Sequence, residues 1–96
     1  MEFLVHIEIV PPGGRQAVEH LIPLETERAR ELALAGLIRR LWRVPGRWEN
    51  WGLWEADDID ELHNAISSLP LFPYLSVHVH PLASHPSDPG TKKQNS

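Results

Sequence analysis

Phe3, Val5, Ile7 and Ile9 alternate with Leu4, His6 and Glu8 across the stretch "FLVHIEIV", and a period of two predicts a β-strand. Pro11-Pro12-Gly13-Gly14 ends it. From Arg15 to Ala35 the apolar positions Val18, Leu21, Ile22, Ala29, Leu32 and Ala33 recur at three- and four-residue steps, which predicts a helix stopped by Gly36. Pro23 marks a kink in that helix or its late start.

The segment "LIRRLWRVPGRWENWGLWE" reads as a hairpin, because Pro45-Gly46 fits the central positions of a type II turn and both flanks are rich in strand formers. If Val44 and Arg47 bracket the turn, Arg43 faces Trp48, Leu41 faces Asn50 and Arg39 faces Gly52. A second helix follows in "DDIDELHNAISS", with Asp57 or Asp58 as N-cap and Ile59, Leu62, His63 and Ile66 at helical spacing. The run "YLSVHVH" is the last strand. Between them lies "SLPLFPY", in which Pro70 and Pro73 end the helix and predict a rigid, extended crossover. Its Leu69, Leu71, Phe72 and Tyr74 are too apolar for a free loop, so burial against a neighbouring subunit or over a pocket mouth is expected.

The order β-α-β-β-α-β is the ferredoxin-like split βαβ plan, an α+β fold with a four-stranded antiparallel sheet and two helices on one face. Residues 1–83 form this single domain, and residues 84–96 form an extended polar tail that could pack on a neighbouring subunit. Trp42, Trp51 and Leu53 lie on one side of the hairpin, and Leu41, Trp48 and Trp54 on the other. Neither side suits water, so sheet-to-sheet dimerisation or a larger assembly of the dimeric α+β barrel type is expected.

Composition narrows the functional classes. The 96 residues are 42% hydrophobic and 23% charged, a globular balance for one small domain. No apolar run is long enough to cross a membrane, and the acidic N-terminus does not resemble a secretory signal, so a cytoplasmic protein is expected. A net charge of −4 argues against nucleic acid as partner. With no cysteine, thiol catalysis and disulfides are excluded.

One residue in the first helix breaks the apolar stripe: Glu25 falls where the spacing calls for a core residue. Burial would raise its pKa, as a proton-shuttling base requires; the structural alternative is an ion pair with Arg28 one turn on. The hairpin offers a complement, since alternation puts Arg39, Arg43, Trp48 and Asn50 on one face, able to hold an organic anion between cationic, amide and aromatic groups. The plainer reading makes those arginines solvated edge residues paired with Glu49 and Glu55. His6, His78 and His80 raise the question of a metal, but polar positions on a half-exposed strand explain them, and no metal is assigned.

Taken together, "LWR", the Gly46-x-Trp48-x-Asn50 return, Glu61-Leu62-His63, "LPLFPY" and the late His85-Pro86 resemble the pattern of the muconolactone Δ-isomerases over nearly the whole chain. The resemblance implies a cofactor-free isomerase of aromatic catabolism, in the 3-oxoadipate branch, that moves a proton within a small unsaturated lactone bearing a carboxymethyl group. It also implies a homo-oligomer of dimer units, typically a decamer, with pockets walled partly by a neighbour. Carried over by position, the family's acidic helix residue falls on Glu25, its hairpin aromatic on Trp48 and its asparagine on Asn50. The expected site is thus Glu25 and Asn50 as catalytic groups with Arg39, Arg43 and Trp48 binding substrate. Thr26 stands where the family usually has lysine, and Trp48 where tyrosine is usual. These departures leave two alternatives open: a relative acting on another lactone or a polyketide-type substrate as isomerase, cyclase or dehalogenase, and a non-catalytic small-anion-binding paralogue; a third reading, from the shared fold plan, is a dimeric α+β barrel oxygenase acting on an aromatic polyketide.

Overall fold

The computed structural model describes residues 1–90, so residues 91–96 of the expected tail lie outside the described residues. Strands β1 (Glu2–Ile9), β2 (Ile38–Arg43), β3 (Glu49–Glu55) and β4 (Leu75–Leu82) form one sheet in the order β2-β3-β1-β4, with every pairing antiparallel. Helices α1 (Ile22–Leu34) and α2 (Ile59–Ser67) supply the crossovers. This is the ferredoxin-like order that the alternation of periods predicts.

Both helices cover the same sheet face. Phe3, Val5, Ile7 and Trp54 project from the strands into a core shared with Leu32 of α1 and with Leu62, Ala65 and Ile66 of α2. The first helix starts late: residues Arg15–Leu21 form a tighter 3-10 segment, and the α-helix begins with Pro23 in its first turn, where a missing N–H costs nothing. Asp58 is the N-cap of α2, accepting from the Glu61 N–H at 2.8 Å, while Glu61 Oε1 reaches back to the Asp57 N–H at 2.7 Å.

The hairpin corrects the expected register. The turn itself is type II-like, with Arg47 N–H donating to Val44 C=O at 3.2 Å and Gly46 at φ 77°. The strands, however, close at Val44 N–H to Glu49 C=O, 3.1 Å, so that Arg43 faces Asn50, Trp42 faces Trp51 and Leu41 faces Gly52. A type II turn twists against the strands and cannot join them directly, so Arg47 and Trp48 stay in the loop. The shift is by two residues and preserves which side each residue from Arg40 to Arg43 takes. A bulge between Ile38 and Arg40 leaves Arg39 without a partner on β3.

The apolar connection is also not as expected. Rather than an extended crossover, Leu69–Tyr74 is a compact turn closed by Phe72 N–H to Leu69 C=O at 2.9 Å and Tyr74 N–H to Leu71 C=O at 2.8 Å. Leu69 and Leu71 are buried within their own subunit, where the core is deep enough to take them.

The second sheet face carries Leu4, His6, Trp42, Trp51 and Leu53. His6 stacks on Trp51 with centroids 4.6 Å apart, and Trp42 is 43% exposed. No described helix is long and apolar enough to cross a membrane.

Candidate active site

The break in the apolar stripe of α1 turns inward. Glu25 is half-buried, and its Oε1 accepts a hydrogen bond from the Leu71 backbone N–H at 2.9 Å. Desolvation raises its pKa above 4.5, and the Leu71 hydrogen bond offsets part of that rise by favouring the carboxylate. Arg28, the partner expected from helical spacing, bonds instead to Glu31 at 3.0 Å and to Ser68 Oγ at 2.9 Å.

Glu25 lines a small cavity of about 60 Å³ between α1 and the sheet, together with Ile9, Leu41, Asn50, Trp54 and Leu69 among others. Its lining residues are apolar apart from Glu25, Asn50 and Trp54. Asn50 Oδ1 and Trp54 Nε1 are both buried, and neither has a hydrogen-bond partner among the described residues. Unpaired buried polar atoms are uncommon in folded proteins, and two beside a perturbed carboxyl make this place a candidate site.

A larger recess of about 350 Å³ opens beside it, lined by Ile9, Leu41, Trp42, Arg43, Trp48, Glu49 and Asn50. Ile9, Leu41 and Asn50 belong to both, so the two spaces adjoin. The outer recess carries a cation, Arg43, and an aromatic wall, Trp48, against which the Arg15 guanidinium stacks at 4.7 Å. Together the two spaces set a cation and an aromatic wall outside and a carboxyl and an amide inside.

The structure therefore brings Glu25 and Asn50 to the inner cavity, and Arg43, Trp48 and Asn50 to the outer one. Arg39, displaced by the bulge, lines neither, and the space expected opposite it at Gly52 belongs to Leu41. Sequence reasoning missed Arg15, Trp54 and the Leu71 N–H. Trp54 had a signal in its place on the core face of the hairpin; the other two contacts span long separations that no periodicity reports.

Residues 1–88 match the family model described as muconolactone delta-isomerase. The chain belongs to the muconolactone Δ-isomerase family. A muconolactone Delta-isomerase of Cupriavidus pinatubonensis is 37% identical over 89 residues, 91% of this chain and 97% of the relative. Another of that name from Pseudomonas aeruginosa is 38% identical over 72 residues, 75% of each chain. A crystal structure of muconolactone isomerase superposes with a TM-score of 0.83 at 32% identity, covering 93% of this chain and 95% of that one. A 5-chloro-2-hydroxyhydroquinone dehydrochlorinase from Burkholderia phenoliruptrix shares the fold, with a TM-score of 0.69 at 16% identity over 88% of this chain and 96% of that one.

A histidine cluster lies away from the isomerase-family site, on the second sheet face. His6 and His78 are cross-strand neighbours, and Glu8 brings a carboxylate to them, the three donor atoms lying within 4.8 Å of one another. Glu8 stands two residues beyond His6 and so takes the same side of β1. His6 Nε2 is already held by Glu49 Oε1 at 3.1 Å.

Proposed function

We propose that this protein is a muconolactone Δ-isomerase, acting without a cofactor on a small anionic enol-lactone precursor of 3-oxoadipate. The observation that carries the proposal is the half-buried Glu25 carboxyl, its pKa raised, facing the same cavity as the Asn50 amide. The reaction takes a proton from the ring carbon bearing the carboxymethyl group and returns one to the carbon beside the lactone carbonyl. Between the two steps stands a dienolate whose charge gathers on the carbonyl oxygen.

Glu25 performs both transfers, and its raised pKa brings it closer to that of the carbon acid it serves. Rotation of the Asn50 amide about its last bond exchanges oxygen for NH₂ at one place, so the same side chain can donate to the growing oxyanion. Arg43 holds the carboxymethyl carboxylate in the outer recess, and Trp48 closes that recess from water. Arg39, outside both spaces, is assigned no part. Thr26 leaves Glu25 without a cation as its next residue, so no neighbouring charge there opposes the rise that burial gives its pKa.

The same reading makes the protein a cytoplasmic homo-oligomer of dimer units, up to the decamer that the resemblance implies, each subunit one domain of residues 1–83 with a tail from residue 84. Support comes from Trp42 and Leu82, both exposed on the second sheet face. Light scattering on the purified protein tests the assembly; a monomer at micromolar concentration refutes it.

Turnover is tested by incubating the purified protein with muconolactone and following the shift of the ring double bond by proton NMR in D₂O. Conversion to the isomer at a rate above background, and lost in Glu25→Gln, is the expected result. Absence of turnover in the native protein, with muconolactone still bound, would favour the small-anion-binding paralogue.

A further inference from the structure

The indole of Trp54 is 1% exposed, yet no group among the described residues accepts from its Nε1–H. A tryptophan placed only to fill the core would turn that N–H to a carbonyl or to the surface, since indole N–H groups are usually paired when buried. Here the ring leans along β3 toward Asn50, over a residue without a side chain. A Cβ on Gly52 would meet Trp54 Nε1 at 2.7 Å and Trp54 Cδ1 at 3.1 Å. Gly52 therefore makes the room in which the indole N–H lies, and Trp54 is one of the residues that line the cavity shared by Glu25 and Asn50.

Leu41 stands over the same spot. Its Cδ2 lies 3.0 Å from the place of a Gly52 Cβ, and it lines both the inner and the outer space while remaining 50% exposed. The inner cavity, about 60 Å³, holds a few waters at roughly 10–15 Å³ each but not a substituted five-membered ring. A side chain half in solvent can change rotamer at little cost, and when Leu41 does so the two spaces join beside Trp54 Nε1.

We infer that Trp54 is a further catalytic residue, its indole N–H donating to the lactone carbonyl oxygen once Leu41 turns aside, and that Gly52 is the positioning residue that admits it. Asn50 and Trp54 then form a two-donor oxyanion site opposite the Glu25 carboxyl. The site selects substrates whose carbonyl lies within one ring of the abstracted proton, because Trp54 is fixed in the core and only the outer recess is open to longer groups. This inference rests on the isomerase reading for its reaction but not for its ligand contact.

The test uses the native protein labelled with ¹⁵N and the saturated lactone carrying the same carboxymethyl group, which binds without reacting. Trp54 is recognised as the indole N–H slowest to exchange with D₂O, because the other three tryptophans are partly exposed. Its proton is expected to move downfield on saturation with the lactone, and Trp54→Phe to lower kcat on muconolactone roughly 10²-fold with little change in KM. An indole N–H that stays in place at saturation overturns the inference, as does a folded Trp54→Phe protein with native kcat. If the native protein binds the saturated lactone and moves the Trp54 N–H but does not turn over muconolactone, the isomerase reading falls and Trp54 stands as a lactone-carbonyl donor. If Trp54→Phe does not fold, the resonance of the native protein decides alone.

Discussion

Leu71 donates its backbone N–H to Glu25 Oε1 across 2.9 Å, joining the second crossover to the first helix over a separation of 46 residues. Two features that look unrelated along the chain, a carboxylate in an apolar stripe and a proline-bracketed apolar turn, are thus one structure. Pro70 and Pro73 narrow the backbone choices of the turn, and the Leu71 N–H is aimed at the carboxylate without a side-chain donor. The hydrogen bond holds Glu25 in place through one of its two oxygens.

Glu25→Gln should abolish turnover, with a loss of about 10²–10⁴-fold expected for removal of a general base. Its stability effect has the opposite sign. The folded pKa lies above 4.5, so the folded state binds more protons than the unfolded chain between those values, and the carboxylate costs stability as pH rises through that window. The glutamine variant should therefore melt at a higher temperature than the native protein at pH 7, and the difference should vanish below pH 4.5, which thermal scans at several pH values can check. The acid limb of the native kcat/KM profile should likewise fall above the ordinary glutamate range.

Leu71→Ala keeps the N–H and removes a side chain that is 2% exposed. Its cost should be about 2–5 kcal/mol in urea unfolding, as for other buried leucines. If the turn keeps its shape, the acid limb of the pH profile stays where it was, because the hydrogen bond to Glu25 comes from the backbone.

Arg43 and Arg39 separate by position. Arg43→Ala should raise KM about 10- to 100-fold, the range for loss of a charged hydrogen bond of about 1.5–3 kcal/mol, with kcat altered less. Arg39→Ala should leave both constants within about twofold, since exposed substitutions away from a site have small effects. Equal effects of the two variants in steady-state kinetics would contradict the assignment.

Gly52→Ala puts a methyl 2.7 Å from Trp54 Nε1 and 3.0 Å from Leu41 Cδ2. The strand backbone tolerates alanine, so the strain falls on the indole, and a cost of about 1–3 kcal/mol is expected from overpacking. Near-ultraviolet circular dichroism should register the moved ring, and a spectrum identical to the native one would show that Leu41 alone gave way.

Alternation in β1, the three- and four-residue steps before Gly36 and the Pro-Gly turn were enough to predict a ferredoxin-like sheet, because each rests on contacts between near neighbours in the chain. Glu25 was legible for the same reason: a charged residue in an apolar stripe shows itself by period alone. The side taken by each residue from Arg40 to Arg43 also survived a register error of two, since the side-chain period is two. What the tertiary structure decided depends on distance in the chain or on a single irregular residue. The bulge at Arg39 removes one arginine from the site and leaves Arg43, and no alternation rule counts an extra residue in advance. The Leu71 N–H and the stacking of Arg15 on Trp48 appear only when segments far apart are packed together. The hydrophobic pattern determines which face each residue takes; closure of the core determines which buried polar groups remain without a partner among the described residues, and here those are Asn50 Oδ1 and Trp54 Nε1.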